Sequence, residues 1–214
     1  MNRLARIAGL SLLALALAHA PDALAGKKDA PAELPKIEAT GIAEFDSVFM
    51  KAKAIHDSLD TEDKNLKEAR AAIATALGVA EDAPLATALE DLKKKANGKI
   101  KVALKGATPR LEPSEAVPEN VQKGIEAVNK LLDASEHAVA TGKELVPQAK
   151  ELATAVAGFP AKVPGLVSDP MEVPKKSKIV GQDVKATQAT PDRIDRLVKT
   201  CEGTFNDVKA AFPQ

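Results

Sequence analysis

The chain contains no tryptophan and no tyrosine, and it has only five phenylalanines among 214 residues. Aromatic rings are the usual means of stacking on nucleobases, and amphipathic rings mark the membrane interface. Their scarcity argues against a nucleic-acid partner and requires a core of alanine, valine, leucine and isoleucine. Since chains rich in alanine, lysine and glutamate favour helix, the composition predicts a mainly α protein.

Cysteine is also scarce, because Cys201 is the only one in the sequence. A disulfide framework within the chain is therefore excluded. Cys201 lies on an apolar helix face, where a small buried hydrophobe is the simplest role and a cross-link between two chains is the alternative. His56 and His137 have no metal-ligand spacing with it, and we interpret them as surface or boundary residues. With no phosphate-binding glycine loop and no nucleophile–base pattern, the sequence predicts no enzyme activity, no cofactor and no metal.

The N-terminus has the pattern of an export signal. Two arginines, Arg3 and Arg6, precede an uncharged run from Ile7 to Pro21, which is shorter than the roughly 20 residues of a membrane span. The run ends near the small-residue motif Ala23–Ala25, after which cleavage is expected. We therefore predict a signal peptide at residues 1–25 and export to the periplasm or the extracellular space. A retained anchor and a buried core helix are the alternatives.

Charge is balanced, with 30 basic and 30 acidic residues, and without the predicted signal peptide the formal charge is −1. Global charge therefore does not favour a polyanionic partner. Residues 26–39 carry two prolines and mixed charge with little periodicity, which predicts a flexible tether. The rest, residues 40–214, is predicted to be a single domain.

Heptad patterns dominate that domain. Apolar residues step by threes and fours from Phe45 to Ala76, interrupted only by Glu62, which predicts a helix with Thr40 as its N-cap and Gly78 beyond its end. A shorter helix is predicted between Pro84 and Gly98.

Two further apolar seams follow. The first of them predicts two helices, at 118–141 and 146–157, because Gly142 and Pro147 are expected to break or kink the helix. Residues 159–175 contain four prolines and are predicted to be a connecting segment, with at most a short helical piece at 163–167. Residues 176–189 are predicted to be helical, and the Thr190–Pro191 pair is predicted to open a final helix.

Between the helical segments, "KIKVALKG" alternates with a period of two and predicts a half-buried strand at 99–105, with a return strand at 110–112. Two strands alone are marginally stable, so the hairpin must lie on the helices. The fold class predicted is mainly α: an antiparallel helical bundle with long heptad-patterned helices and one small β-hairpin near 99–112. Both a monomer and a homodimer are compatible with it.

One local concentration of charge stands out, because no acidic residue lies between Asp91 and Glu112. The functional interpretation is an anion- or partner-binding patch for lipid headgroups, lipopolysaccharide or an acidic protein. The structural alternative is that these cations complement a helix end, protect an edge strand and are neutralised by nearby acids. The patch consists of Lys93, Lys94, Lys95, Lys99, Lys101, Lys105 and Arg110.

Together these patterns favour a non-catalytic exported helical-bundle protein that serves as an interaction or scaffold module of the bacterial cell envelope. Its partner would be an unknown protein or envelope component. An amphipathic lipid-binding protein in contact with membrane surfaces is one alternative. A small-ligand binder with a pocket inside the bundle is the other.

Overall fold

The structure is a computed structural model that describes residues 36–212. The predicted signal peptide and residues 26–35 of the predicted tether lie outside the described residues. The elements in chain order are α1 (Ala43–Leu77), α2 (Leu85–Ala96), β1 (Ile100–Lys105), β2 (Thr108–Pro113), α3 (Glu119–Ala155), a 3₁₀ turn (Val156–Gly158), α4 (Phe159–Leu166) and α5 (Val173–Ala211).

The helices α1, α3 and α5 are the long ones, with 35, 37 and 39 residues. At about 1.5 Å per residue each is roughly 50–60 Å long. Helices α1 and α3 are antiparallel. His137 of α3 contacts Glu62 of α1, while Gly124, nearer the start of α3, lies against Leu77 at the end of α1. The result is a mainly α fold with one small β-hairpin, which confirms the predicted fold class.

The apolar seams meet inside this bundle. Leu59, Val128 and Ile194, one from each long helix, are fully buried. At the end where α1 begins, the ring of Phe159 stacks on Phe45 with centroids 4.1 Å apart and meets the edge of Phe49 at 5.6 Å. Three of the five phenylalanines thus fill one region, while Phe205 and Phe212 pack with aliphatic side chains in another.

The predicted break in α3 is wrong, because the helix continues through Gly142 and Pro147. Gly142 is buried, and a Cβ there would come within 2.6 Å of Val198 Cγ2, so this glycine allows α5 to approach closely. Pro147 lies on the exposed side, where water can hydrate the carbonyl of Lys143 that the proline leaves without an amide partner. Buried Ala149 and the residues around it hold the helix against its neighbours.

The predicted helix start at Thr190 is also wrong, because α5 runs unbroken from Val173 with Pro191 inside it. The Thr190 hydroxyl donates to the Ala186 carbonyl at 3.0 Å instead of capping a new helix. Ala186 and Ile194 are buried on either side of the proline. Packing against the bundle therefore outweighs the hydrogen bond that Pro191 removes.

The proline-rich stretch 159–175 is more helical than predicted. Helix α4 begins at Phe159, with Pro160 in its first turn, where the missing N–H costs nothing. Phe159 and Val163 face the core, so α4 covers the end of the bundle.

The start of α1 differs from the prediction as well. Thr40 does not cap the helix, which begins at Ala43. The Asp46 carboxylate instead accepts the Thr40 N–H and hydroxyl, both at 2.7 Å, and the Gly41 N–H at 3.1 Å. Ile37, within the segment predicted to be a tether, is buried in the adjoining core. Residues 36–42 therefore lie along the bundle.

None of the helices between residues 36 and 212 combines the length and the hydropathy that a bilayer crossing requires.

Candidate functional site

The seven basic residues of the predicted patch lie on the last turn of α2 and on the hairpin. They do not form one continuous free surface. Four of them form ion pairs with nearby acids, namely Lys95, Lys99, Lys101 and Arg110. Lys93, Lys94 and Lys105 form none with any described residue.

Arg110 fastens the hairpin to the bundle. Its side chain is only 12 % exposed, and Nη2 donates to Glu136 Oε2 at 3.1 Å and to the Asp133 carboxylate, both on α3. Both acids are more than half exposed, so each pair contributes only about 0–1 kcal/mol, but the guanidinium itself is largely covered by the protein. Arg110 therefore has a structural role and is not available to a partner.

Lys95 is also occupied, since its Nζ lies 2.7 Å from Asp91 Oδ2 and donates to the Leu77 carbonyl at 2.8 Å. Leu77 is the last residue of α1, whose final carbonyls lack helical partners. Lys95 thus ties the end of α2 to the end of α1.

The strand lysines are accessible. Lys101 lies 3.4 Å from Glu112 across the hairpin, and Lys99 lies 3.5 Å from Glu115. Exposed pairs of this kind contribute only about 0–1 kcal/mol, so a partner's carboxylates can replace those of the chain. Lys105, at the end of β1, is exposed. We call Lys99, which directly precedes β1, and Lys101 and Lys105, which lie on it, the strand lysines.

Asn129 on α3 holds the hairpin from its other side. Its Oδ1 accepts the Leu111 N–H at 2.9 Å, and its Nδ2 donates to the Leu111 carbonyl at 2.9 Å. The carboxamide thus takes the place of a neighbouring strand, and it does so at a fully buried residue of β2. Sequence reasoning missed Asn129, because an isolated asparagine on a helix gives no periodic signal.

A second group of polar residues lies inside the bundle. Glu62, which interrupts the seam of α1, is buried, and its Oε1 accepts from His137 Nδ1 at 2.9 Å and from Thr141 at 3.4 Å. Its other oxygen, Oε2, has no hydrogen-bond partner among the described residues. The sequence showed Glu62 as an exception but gave no sign of its partners on α3.

Cys201 is buried, and burial raises the pKa of its thiol to about 11. The Ser135 hydroxyl opposes part of this effect, although Ser135 Oγ has no partner in full hydrogen-bonding geometry within residues 36–212. A thiol that is protonated at neutral pH is a poor nucleophile. Cys201 therefore acts as a small buried side chain.

His56 contacts α5 at its proline. Its Nε2 lies 2.7 Å from Thr190 Oγ1, and because that hydroxyl donates to Ala186, the histidine must donate to it. Burial lowers the pKa of His56, and the positive charge of Arg193 lowers it further. Arg193 itself bridges Asp60 at 2.6 Å and Asp63 at 2.8 Å. His56 is thus a neutral structural donor.

Asp183 on α5 is the third buried polar group that faces another segment. Its Oδ1 accepts the Glu38 N–H at 3.2 Å, while Oδ2 has no partner among the described residues. Burial raises the pKa of Asp183 to about 6, and the negative charges of Glu38 and Asp46 add to the increase.

Each of these buried groups forms a contact between two helices or segments of the chain. In the described part of the chain no three side chains of the metal-binding types converge. A groove of about 850 Å³ runs between α1 and α3, but it is open to solvent, with alanines along its floor and charged residues such as Glu119 and Lys130 along its rim. A smaller recess of about 110 Å³ lies beside the turn after α1.

No protein-family model matches the chain, and no curated protein or solved structure is significantly similar to it.

Proposed function

We propose that the protein is a non-catalytic module of the bacterial cell envelope that is exported and presents its hairpin to an acidic partner. The proposal of export rests on the signal-peptide pattern of residues 1–25. The proposal of a binding role rests on the contacts that attach the hairpin to α3.

The observation that carries the binding role is the double attachment of β2 to α3. Arg110 is held by two acids on α3, and Leu111 is held by both hydrogen bonds of Asn129. An isolated two-stranded hairpin is marginally stable in water. This one is fixed on a long helix and carries the strand lysines on the strand farther from that helix. A rigid display of positive charge is suited to recognition, because little conformational entropy is lost on binding.

The interior supports a role without catalysis. His56 and Glu62 are each hydrogen-bonded to another helix, and the thiol of Cys201 is held in its protonated form by burial. The larger groove is open to solvent, with its charged residues along the rim, whereas ligand sites are typically enclosed.

The test is crosslinking and pull-down from the native envelope with the wild type and two triple variants. The first variant changes the strand lysines to glutamine, as Lys99→Gln, Lys101→Gln and Lys105→Gln. The control changes three exposed lysines that form no ion pair with described residues, as Lys143→Gln, Lys150→Gln and Lys199→Gln.

We expect the first variant to keep its helical circular dichroism and to lose the acidic partner, while the control retains it. Binding by the wild type should also weaken with added salt. Equal capture by all three proteins would contradict the binding role. Recovery of the tagged protein in the cytosol alone would contradict export, and flotation with phospholipid vesicles would favour the lipid-binding alternative.

A further inference from the structure

The outer edge of β1 is open, and the pairing register shows which backbone groups it exposes. Val102 lies opposite Leu111, whose N–H and C=O both bond to Asn129 on the far side of β2. In an antiparallel pair, residues opposite each other both point their hydrogen-bonding groups either inward or outward. The N–H and C=O of Val102 therefore point outward, away from β2.

The neighbouring residues confirm this alternation. Leu104 and Ile100 lie opposite Pro109 and Pro113, which have no N–H to donate. Lys99 is of the other parity, and its carbonyl accepts the Ser114 N–H at 2.9 Å. The residues of β1 whose backbone N–H and C=O point away from β2 are thus Ile100, Val102 and Leu104. None of these backbone groups has a hydrogen-bond partner among residues 36–212.

The other edge of the hairpin is closed. Asn129 satisfies Leu111, and the two prolines of β2 remove the donors on either side of it. An added strand can therefore pair only with β1. Val102 and Ile100 are partly buried against the core, which holds β1 in place, while the Leu104 side chain is 54 % exposed.

A second copy of the chain is a poor occupant of this edge. Antiparallel pairing of two β1 strands about Val102 would set Lys99 opposite Lys105 of the other copy and leave Lys101 close to that pair. Like charges directly opposite each other destabilise a sheet, and lysines on edge strands discourage this kind of self-pairing.

An acidic strand, in contrast, is complementary to β1. Lys101 and Lys105 share one face of β1, and Lys99 directly before the strand continues that alternation. Ile100, Val102 and Leu104 share the other face, because side chains alternate along a strand. A segment that alternates carboxylates with aliphatic residues would place its carboxylates beside the lysines and its apolar side chains beside Leu104 and Val102.

We propose that β1 binds an extended acidic segment of a partner protein as a third, antiparallel strand of the hairpin. This inference rests on the proposed binding function and specifies the conformation and the pattern of the ligand. Main-chain hydrogen bonds supply affinity in this mode of recognition, and the alternating side chains supply specificity.

A synthetic peptide tests the geometry directly. The probe is a blocked peptide of about ten residues in which glutamate alternates with valine. In the antiparallel arrangement the valines lie opposite Val102 and its outward-pointing neighbours, so the valine N–H groups donate to β1 and the glutamate N–H groups face away. N-methylation of the valines should weaken binding by about tenfold or more, whereas N-methylation of the glutamates should change it little.

The protein offers a matching pair of variants. Val102→Pro removes the outward N–H and leaves the bonds to β2 in place, and Val102→Ala is the control for lost side-chain contacts. We expect Val102→Pro to bind the probe about tenfold more weakly than Val102→Ala. In the wild type, the Val102 amide should exchange rapidly with solvent when free and slowly when the probe is bound. If Val102→Pro fails to fold, the methylated peptides on the wild type still decide the question.

The outcomes separate this inference from the proposed function. Binding that needs the strand lysines but is insensitive to both patterns of methylation would overturn strand addition and leave the acidic-partner surface intact. Blocking by methylated glutamates alone would overturn the antiparallel arrangement. A concentration-dependent dimer that Val102→Pro abolishes would assign the edge to a second copy and overturn the proposal. No binding of the probe and no effect of the lysine changes would overturn both.

Discussion

Asp183 should make the stability of the protein decline as the pH rises, and the variant Asp183→Asn should remove that decline. The carboxyl is 1 % exposed and has one hydrogen bond, from the Glu38 N–H. Burial and the charges of Glu38 and Asp46 raise its pKa from 3.8 to about 6. The folded protein therefore holds a proton on Asp183 between about pH 4 and pH 6, where the unfolded chain has released it.

This difference in bound protons determines whether the free energy of unfolding rises or falls with pH. Stability rises with pH only where the unfolded state binds more protons, and here the folded state binds more. The contribution of Asp183 is thus fully present below about pH 4 and is lost as the pH rises through about 6. At about 1.4 kcal/mol per pH unit, the loss amounts to about 2–3 kcal/mol.

The carboxamide introduced by Asp183→Asn keeps an oxygen to accept the Glu38 N–H but cannot ionise. It also places an NH₂ where Oδ2 has no partner, which costs a constant amount at every pH. The informative quantity is therefore how the difference in stability between the variant and the wild type changes with pH. Relative to the wild type, the variant should gain about 2–3 kcal/mol between about pH 4 and pH 7.5.

Urea unfolding followed by circular dichroism measures this difference, since the chain has no tryptophan for a fluorescence assay. The matched control is Asp195→Asn, which changes an exposed acid on the same helix. Its difference from the wild type should be nearly constant with pH. A constant difference for Asp183→Asn as well, or one that moves against the variant as the pH rises, would refute the reasoning.

Three further predictions concern packing and hydrogen bonding. Gly142→Ala should destabilise the protein by about 1–2 kcal/mol, because the new methyl group collides with α5, while Gly203→Ala, with open space around it, should stabilise by up to about 1 kcal/mol in the same urea assay. Asn129→Ala should cost about 1–3 kcal/mol and accelerate hydrogen exchange at the Leu111 amide; unchanged exchange would show that the carboxamide does not hold the hairpin. His56→Gln should gain stability relative to the wild type as the pH falls below 6.5, because the pKa of His56 is lowered by burial and its protonation favours unfolding; an unchanged difference across that range would contradict the assignment of a neutral histidine.

The sequence predicts the helices well where apolar spacing is decisive. The seam from Phe45 to Ala76 predicts α1 to within a few residues, and Gly78 adopts the left-handed conformation expected after a helix end. Local propensity failed at Pro147 and Pro191, because the effect of a proline depends on its surroundings. Pro147 lies toward solvent, whereas Pro191 lies between residues that are buried in the core. Neither environment can be predicted from the adjacent residues in the sequence.

The candidate site was only partly predictable. The alternation of apolar and charged residues predicts β1, and the stretch without acidic residues suggests the basic patch. Charge alone, however, does not distinguish Arg110, which is held by α3, from the exposed Lys105. Asn129 and Asp183 carry no sequence signal, since each acts on a segment distant in the chain. The Asp183 contact with Glu38 spans 145 residues. Such contacts depend on tertiary structure that periodicity does not encode.

The buried polar groups give the bundle something that its apolar seams lack. Alanine, valine and leucine at heptad spacing pack acceptably in more than one longitudinal alignment, because shifting a helix by about seven residues again sets apolar against apolar. The bond between His56 and Thr190 and the bond between Glu62 and His137 form in one alignment only. A shift would leave His56 and Glu62 buried without partners, at a cost of about 1–3 kcal/mol for each lost polar contact. These contacts therefore fix the alignment of α1 against both α3 and α5. Because Asn129 and the acids that bind Arg110 lie on α3, the same alignment determines where the open edge of β1 is presented.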